Sequence, residues 1–408
     1  MGTNKGTMGD DFSKCRSNSK RSFEAEAYRS RRSGANKRKV SDGMKISGYQ
    51  LFWLVYTLDY GKTAIFTISP AILAAKQDAW LSIIVASLIG LATTYIAVRI
   101  SLLHPKQTFI QYTQTIMGKW LGTIILIPIF LMWIAITGLI LREFADFVFI
   151  ALFSKTPLWT ISIIMLAAVV YITSTGGLTS IGRCGELIGP ISIIGSLLII
   201  LLSVKDWHWF RLFPVYANSG LLPIIKGSLF PASFIAESFM IVMLIAFMPQ
   251  PKRAMAASIL GVAAASISIL FITVIVILVF GPHLAGHFVY PIYSVVTYIS
   301  VMEFIQNIDV IIVLLWIIGI FIKLALYFFV TSYGTAQLLR FPKWKKSIWL
   351  ITPIVFGISL LPRNIDDTIN FANFWRDVIF PVNLVGIPIL LWIVGSIRKK
   401  YRTNTKTV

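Results

Sequence analysis

Charged side chains are scarce in this chain of 408 residues. Asp, Glu, Lys and Arg together make up 13% of it, against about 25% in a soluble globular protein. The two cysteines, Cys15 and Cys184, are too few for a disulfide framework or a cysteine-based metal site. A Walker A sequence is missing, so the chain is not expected to use ATP. No enzyme signature, cofactor motif or metal-ligand set is predicted.

Long apolar runs fill most of the remaining sequence. Hydrophobic residues make up 56% of the chain, and runs of about 20 of them recur, each long enough to cross the bilayer as a helix. We therefore predict an all-α polytopic membrane protein with about ten spans. Their expected positions are 46–75, 80–98, 120–153, 158–173, 187–204, 222–248, 254–280, 310–339, 347–361 and 378–397.

Basic residues are distributed unevenly along the chain. Residues 1–45 contain 12 Lys or Arg and few apolar side chains, which predicts a disordered basic tail. With both termini in the cytoplasm, cytoplasmic segments hold 27 of the 37 basic residues and external segments hold seven. That bias favours this orientation, with a short cytoplasmic tail at 401–408. It also explains the net charge of +20 without nucleic-acid binding.

Ten spans divide into two sets of five that are inverted relative to each other. Transporters with such repeats have a broken helix at the start of each half, and their ligands bind beside the breaks. Span 1 contains Asp59-Tyr60-Gly61-Lys62, and span 6 contains Phe230-Pro231-Ala232-Ser233 ahead of Glu237. We predict that both segments interrupt their helices, with Gly61 permitting the first to unwind.

Ionisable side chains inside spans need partners, because an isolated charge at the bilayer centre costs about 2.5–3.5 kcal/mol on insertion scales. Asp59 either pairs with Lys62 or faces a ligand cavity. Lys323, in span 8, is expected to pair with Glu237 or Asp59, in a structural or a gating role. Arg142 and Glu143, near the end of span 3, are expected to extend towards the membrane interface.

Several short segments together resemble the spore germination permeases. These are the B subunits of germinant receptors, within the amino acid–polyamine–organocation superfamily. The segments include Lys45–Gln50, Ala75–Trp80, Thr108–Tyr112, Gly118–Gly122, Leu141–Phe144, Gly177–Pro190 and Asp309–Lys323. The resemblance covers about residues 45–400. It implies a ten-helix transporter-like fold in the spore inner membrane and assembly with an A subunit and a C lipoprotein subunit.

The leading functional hypothesis is therefore a germinant-sensing receptor subunit that binds a small nutrient, such as an amino acid, near the bilayer midplane. The alternatives are a proton- or sodium-coupled amino acid transporter and a scaffold that binds no ligand. The predicted ligand-binding residues are Asp59, Tyr60, Gly61, Ser233, Glu237 and Lys323, followed by Glu143 and Arg142.

Overall fold

Helices provide the regular structure in the described part of this chain. The computed structural model describes residues 44–216, 220–299 and 308–404, and these contain helices and turns but no strand. The predicted tail at 1–45 lies outside this part of the chain except for its last two residues, so its disorder stays a prediction. So does the cytoplasmic tail at 401–408, although the last helix continues to Asn404.

Ten helical segments follow one another in the order expected from the sequence. Spans 1 to 5 are Gly48–Phe66 with Ile68–Ala75, then Ala79–Leu103, Lys119–Ala151, Leu158–Thr175 and Gly177–Ser203. Spans 6 to 10 are Leu221–Phe247, Ala254–Ala285, Ile308–Leu338, Lys346–Ser359, and Ile365–Phe374 continuing through a π-helix, Trp375–Gly386, to Asn404. The short helices Phe109–Met117 and Pro291–Tyr298 lie between spans.

Eight stretches of the described residues are long and apolar enough to cross a membrane. The first half of span 1 and the 14-residue span 9 are not among them, although both occupy their expected places in the helix order. Span 3 has 33 residues, which is about 50 Å of helix and exceeds the bilayer core as predicted.

Two predicted boundaries were wrong by about ten residues. Span 5 begins at Gly177 rather than near residue 187, and span 10 begins at Ile365 rather than near residue 378. Polar residues near both starts obscured them: Arg183 and Glu186 lie within span 5, and Asp366 and Asp367 lie in the first turn of span 10. In the structure Glu186 lies inside the helix and accepts a hydrogen bond from Gln50 at 3.1 Å.

Span 1 is interrupted at Thr67, not at the predicted segment 59–62. Residues 59–62 are helical within Gly48–Phe66, and a second helix starts at Ile68. Pro70 explains the position, because a proline has no N–H to donate and its ring clashes with the carbonyl four residues earlier, here that of Phe66. Gly61 is helical, so its predicted role in unwinding was wrong.

Span 6 changes geometry at Glu237, one turn later than predicted. Its helix continues through the predicted break, Phe230–Ser233, as far as Ile235. A tighter 3-10 turn, Ala236–Met240, then carries Glu237. Pro231 removes only one hydrogen bond of the helix, the bond to the Gly227 carbonyl. The proline therefore does not break the helix where it stands.

Spans 1 and 6 lie at the centre of the bundle. The second half of span 1 packs against span 6, and spans 2 and 7 enclose the pair, while span 3 packs against spans 8 and 9. Glycines allow the close approach: an added Cβ at Gly90 would overlap Ile235, and one at Gly189 would overlap the Trp53 ring. Small residues at such crossings are typical of membrane helices.

Candidate functional site

Two ion pairs lie buried at the centre of the bundle. Lys62 Nζ of span 1 is 2.6 Å from Glu143 Oε2 of span 3. Lys323 Nζ of span 8 is 2.8 Å from Glu237 Oε2 of span 6. The four side chains are at most 7% exposed. Each half of the fold therefore contributes one pair between its first and third spans. The lysine lies on the first span in the first half and on the third span in the second half.

Glu237 has a second partner in addition to Lys323. The Tyr327 hydroxyl donates to Glu237 Oε2 at 2.9 Å. Tyr327 lies one helical turn after Lys323, so both groups project from the same face of span 8. The sequence hypothesis offered Glu237 or Asp59 as the partner of Lys323, and the structure forms the pair with Glu237.

Asp59 is buried close to this centre without a direct partner. It lies three residues before Lys62 and is fully enclosed, yet neither carboxylate oxygen has a hydrogen-bond partner within the described part of the chain. The charges of Lys323 and Glu237 act on it from nearby. The pair between Asp59 and Lys62, one of the two alternatives predicted for Asp59, is not formed, because Lys62 binds Glu143 instead. The centre thus contains three carboxyl groups and two ammonium groups.

A second polar network lies one turn further along span 3. Arg142 Nε is 3.0 Å from Asp146 Oδ1, and an Arg142 Nη1 donates to the Pro362 carbonyl between spans 9 and 10. Thr368 of span 10 donates to Asp146 Oδ2 at 3.3 Å. Arg142 and Glu143 are 4% and 5% exposed. Their expected extension to the interface was therefore wrong, because each has a buried partner.

Two cavities meet at Glu143 and Phe234. The smaller has a volume of about 20 Å³, which is room for roughly one water molecule. It is lined by Lys62, Glu143, Phe234 and Glu237, together with residues of spans 3 and 10. The larger has a volume of about 260 Å³ and is bounded by spans 1, 3, 6 and 10 and by residues 286–290. A small organic molecule fits the larger cavity.

The remaining predicted residues are directed elsewhere. The Tyr60 hydroxyl is 2.6 Å from Ser196 Oγ of span 5. Gly61 faces the backbone of span 8 at Gly319, and Ser233 donates to the carbonyl of Phe230 in its own helix. None of the three lines either cavity. Their part in ligand binding stays a prediction.

Several residues at this centre were missing from the predicted set. Lys62 was recognised as a buried charge but was not chosen as a ligand-binding residue. Tyr327 and Asp146 each lie four residues after a basic residue, Lys323 and Arg142, and this i, i+4 spacing was the available signal. Phe234 carried no signal, since an aromatic residue in an apolar span is usually a packing residue.

Known proteins resemble this chain along most of its length. A profile of the family described as "Spore germination protein" matches residues 45–368. Spore germination protein YndE of Bacillus subtilis is 26% identical over 80% of this chain and 89% of its own length. Spore germination protein KB of the same organism is 26% identical over 89% of this chain and 97% of its own length.

Solved transporter structures share the fold. A manganese transporter of Eremococcus coleocola, in complex with an aromatic bis-isothiourea compound, superimposes with a TM-score of 0.61 and 13% identity, covering 85% of this chain and 77% of that one. A nucleobase–cation-symport-1 family transporter with bound bromovinylhydantoin superimposes with a TM-score of 0.53 and 14% identity, covering 84% of this chain and 80% of that one. The predicted fold class, five spans plus five inverted spans, is confirmed. The profile match across residues 45–368 shows that the chain belongs to the family of spore germination proteins.

Proposed function

We propose that this chain is the germinant-sensing membrane subunit of a spore germinant receptor. The observation that carries the proposal is the cavity of about 260 Å³ beside Glu143, in a member of the spore germination family. The cavity reaches the ion-pair centre through Glu143 and Phe234, which also line the smaller cavity next to Glu237. A nutrient bound there touches spans 1, 3 and 6, which carry Lys62, Glu143 and Glu237.

Sensing follows from a shift between two packings of the bundle. Ligand binding stabilises whichever arrangement of spans 1, 3, 6 and 10 it fits better, and the equilibrium moves by the difference in affinity. In the proposed setting the chain spans the spore inner membrane with both termini in the cytoplasm. It passes the change to an A subunit and a C lipoprotein subunit.

An amino acid transporter coupled to protons or sodium is the second candidate. Asp59 is the observation that favours it, because a buried carboxyl group with two unpartnered oxygens is a typical place for a proton or a cation to bind during a cycle. Uptake of labelled amino acids into proteoliposomes separates the candidates. A sensor binds ligand without accumulating it, and accumulation driven by an ion gradient establishes transport.

Germination of spores carrying Glu237→Ala tests the sensing proposal. The dose response to a panel of amino acids, nucleosides and sugars is measured, and the level of the protein is checked by immunoblot. Glu186→Ala is the matched control, because Glu186 is also a carboxylate but bonds Gln50 near the start of span 1. A shifted dose response in the first variant alone supports sensing at the central site. Unchanged responses to every nutrient in both variants, at normal protein levels, refute it.

A further inference from the structure

The wall of the larger cavity combines aromatic rings with carboxylates. Its rings come from three parts of the fold: Phe66 of span 1, Phe230 and Phe234 of span 6, and Phe288 and Tyr290 of the segment before span 8. Glu143 and Asp146 of span 3 supply the carboxylates. Rings attract cations to their faces, so both components of the wall favour a positively charged group.

Basic side chains are excluded from this wall. No Lys or Arg is among the described residues that line the larger cavity, and the single imidazole, His287, is exposed. The cations that balance the two carboxylates, Lys62 and Arg142, are not part of the lining. The pairs Lys62–Glu143 and Arg142–Asp146 therefore both present their acidic member to the cavity. A ligand's carboxylate has no buried cation to bind there.

Glu143 retains the capacity to accept a ligand's proton donor. Its Oε2 is 2.6 Å from Lys62 Nζ, and Oε1 is not part of that ion pair. Both oxygens of Asp146 are occupied, by Arg142 and Thr368. Of the two carboxylates, Glu143 is the one that can bind a ligand's ammonium group.

An ammonium group from the protein itself already occupies this position. Lys62 Nζ lies between Glu143 Oε2, at 2.6 Å, and the ring of Phe234, whose centroid is 4.5 Å away. A carboxylate on one side and an aromatic face on the other make up a cation site. The position of Lys62 shows that this site binds an ammonium group.

We infer that the ligand of this site carries a positively charged amine that replaces the Lys62 ammonium between Glu143 and Phe234. The inference rests on the proposed function, since it assumes that a ligand binds in this cavity. The ligand's apolar body lies against the aromatic wall. Lys62 retains an acceptor when displaced, because the smaller cavity that it lines is also lined by Glu237. Displacement therefore brings a second cation to the pair between Lys323 and Glu237.

Binding of matched small molecules to the full-length chain in lipid nanodiscs tests the inference. The probes are isoamylamine, L-leucine and 4-methylpentanoate, which share a branched apolar body and differ in their amine and carboxylate groups. Titration calorimetry measures their affinities. The inference predicts binding of isoamylamine and L-leucine and no binding of 4-methylpentanoate. Equal binding of the acid and the amine overturns it, and so does the absence of binding by any probe at millimolar concentration.

Substitutions of the two members of the ion pair are predicted to have opposite effects. Glu143→Gln removes the negative charge and weakens amine binding by about tenfold or more, as expected when a hydrogen bond to a charged group is lost. Lys62→Gln removes the internal competitor and strengthens amine binding. A purely structural ion pair predicts weaker binding in both variants, and that result overturns the inference.

Separate control variants test whether the substituted chains fold. Glu143→Gln leaves Lys62 buried without its partner, so the double variant Lys62→Gln/Glu143→Gln is also measured, because it removes both charges. The inference predicts that the double variant folds and still binds the amine weakly. Glu186→Gln is the matched control, a carboxylate outside the cavities that is expected to leave all affinities unchanged.

Germination distinguishes failure of this inference from failure of the proposed function. If Glu143→Gln spores lose their response to an uncharged nutrient, such as a sugar, the chain is a sensor but its ligand is not an amine. If they respond normally to every nutrient at normal protein levels, the cavity is not the sensing site and both proposals fail.

Discussion

Removing the cation of the pair between Lys323 and Glu237 is expected to destabilise the bundle strongly. The atoms are 2.8 Å apart and the side chains are 0% and 2% exposed. At an effective dielectric constant of about 20, the attraction across this distance is roughly 6 kcal/mol. Lys323→Met leaves the buried carboxylate with the Tyr327 hydroxyl as its remaining partner. Breaking one side of a buried pair lowers the free energy of unfolding by about 3–5 kcal/mol.

Two further variants isolate the pair. Lys323→Met with Glu237→Met removes both charges and should recover most of the loss, because replacing a buried pair by apolar side chains is often neutral or stabilising by about 1–4 kcal/mol. Tyr327→Phe removes only the hydrogen bond at 2.9 Å, and a bond to a charged group contributes about 1.5–3 kcal/mol. Lys323→Met should therefore lower the free energy of unfolding most, Tyr327→Phe should lower it less, and the double variant should lower it least.

Equilibrium unfolding in mixed detergent and sodium dodecyl sulfate micelles, followed by tryptophan fluorescence, measures these free energies. Arg376→Gln is the control, since Arg376 pairs with Asp377 at 2.6 Å with side chains 27% and 56% exposed. An exposed pair contributes about 0–1 kcal/mol. The reasoning is refuted if Lys323→Met destabilises the chain no more than Arg376→Gln does.

Two other perturbations test how the spans are held together. Arg142→Gln releases the segment 362–368 from span 3, so amide hydrogen exchange measured by mass spectrometry should become faster there; unchanged exchange would contradict the proposed tether. Gly189→Ala places a methyl group against the Trp53 ring and should lower the free energy of unfolding by about 1–3 kcal/mol. Gly319→Ala, where an added Cβ meets no neighbouring atom, should be near neutral in the same assay.

The order of the helices was predictable because it depends on composition alone. Apolar runs bounded by polar segments marked all ten spans, and capping residues at two helix starts were a further signal that the prediction did not use. Ser47 and Gln50 form reciprocal bonds at the start of span 1, and Thr108 and Gln111 do the same for the short helix before span 3. Such local signals fix where helices begin.

The positions of the breaks were not predictable from charge. Asp59 and Lys62 suggested an interruption, yet they remain helical because Lys62 finds its partner in span 3. Pro70 carried the correct signal, since its effect falls on the turn before it and the helix stops at Thr67. In span 1, charge indicated the site and proline indicated the break, whereas in span 6 the altered turn carries Glu237 and Pro231 lies within the helix before it.

The pairing of the charged residues depended on the tertiary structure. Glu143 lies 81 residues after Lys62 along the chain, and only the crossing of spans 1 and 3 brings them to 2.6 Å. The sequence correctly identified Glu237 and Lys323 as needing partners, because unpaired charges are unfavourable in a membrane. Where several carboxyl groups compete for two lysines, the helix packing decides, and spacing along the chain does not reveal it.

The arrangement of the two central ion pairs has a consequence for biogenesis. Each pair is formed within one half of the chain, so a nascent first half already contains both Lys62 and Glu143 when span 3 enters the membrane. The second half neutralises Glu237 with Lys323 in the same way. Asp59 is the exception, because the nearby charges that act on it, Lys323 and Glu237, both belong to the later half. One carboxyl group of the first half therefore acquires these charged neighbours only after spans 6 and 8 have been synthesised.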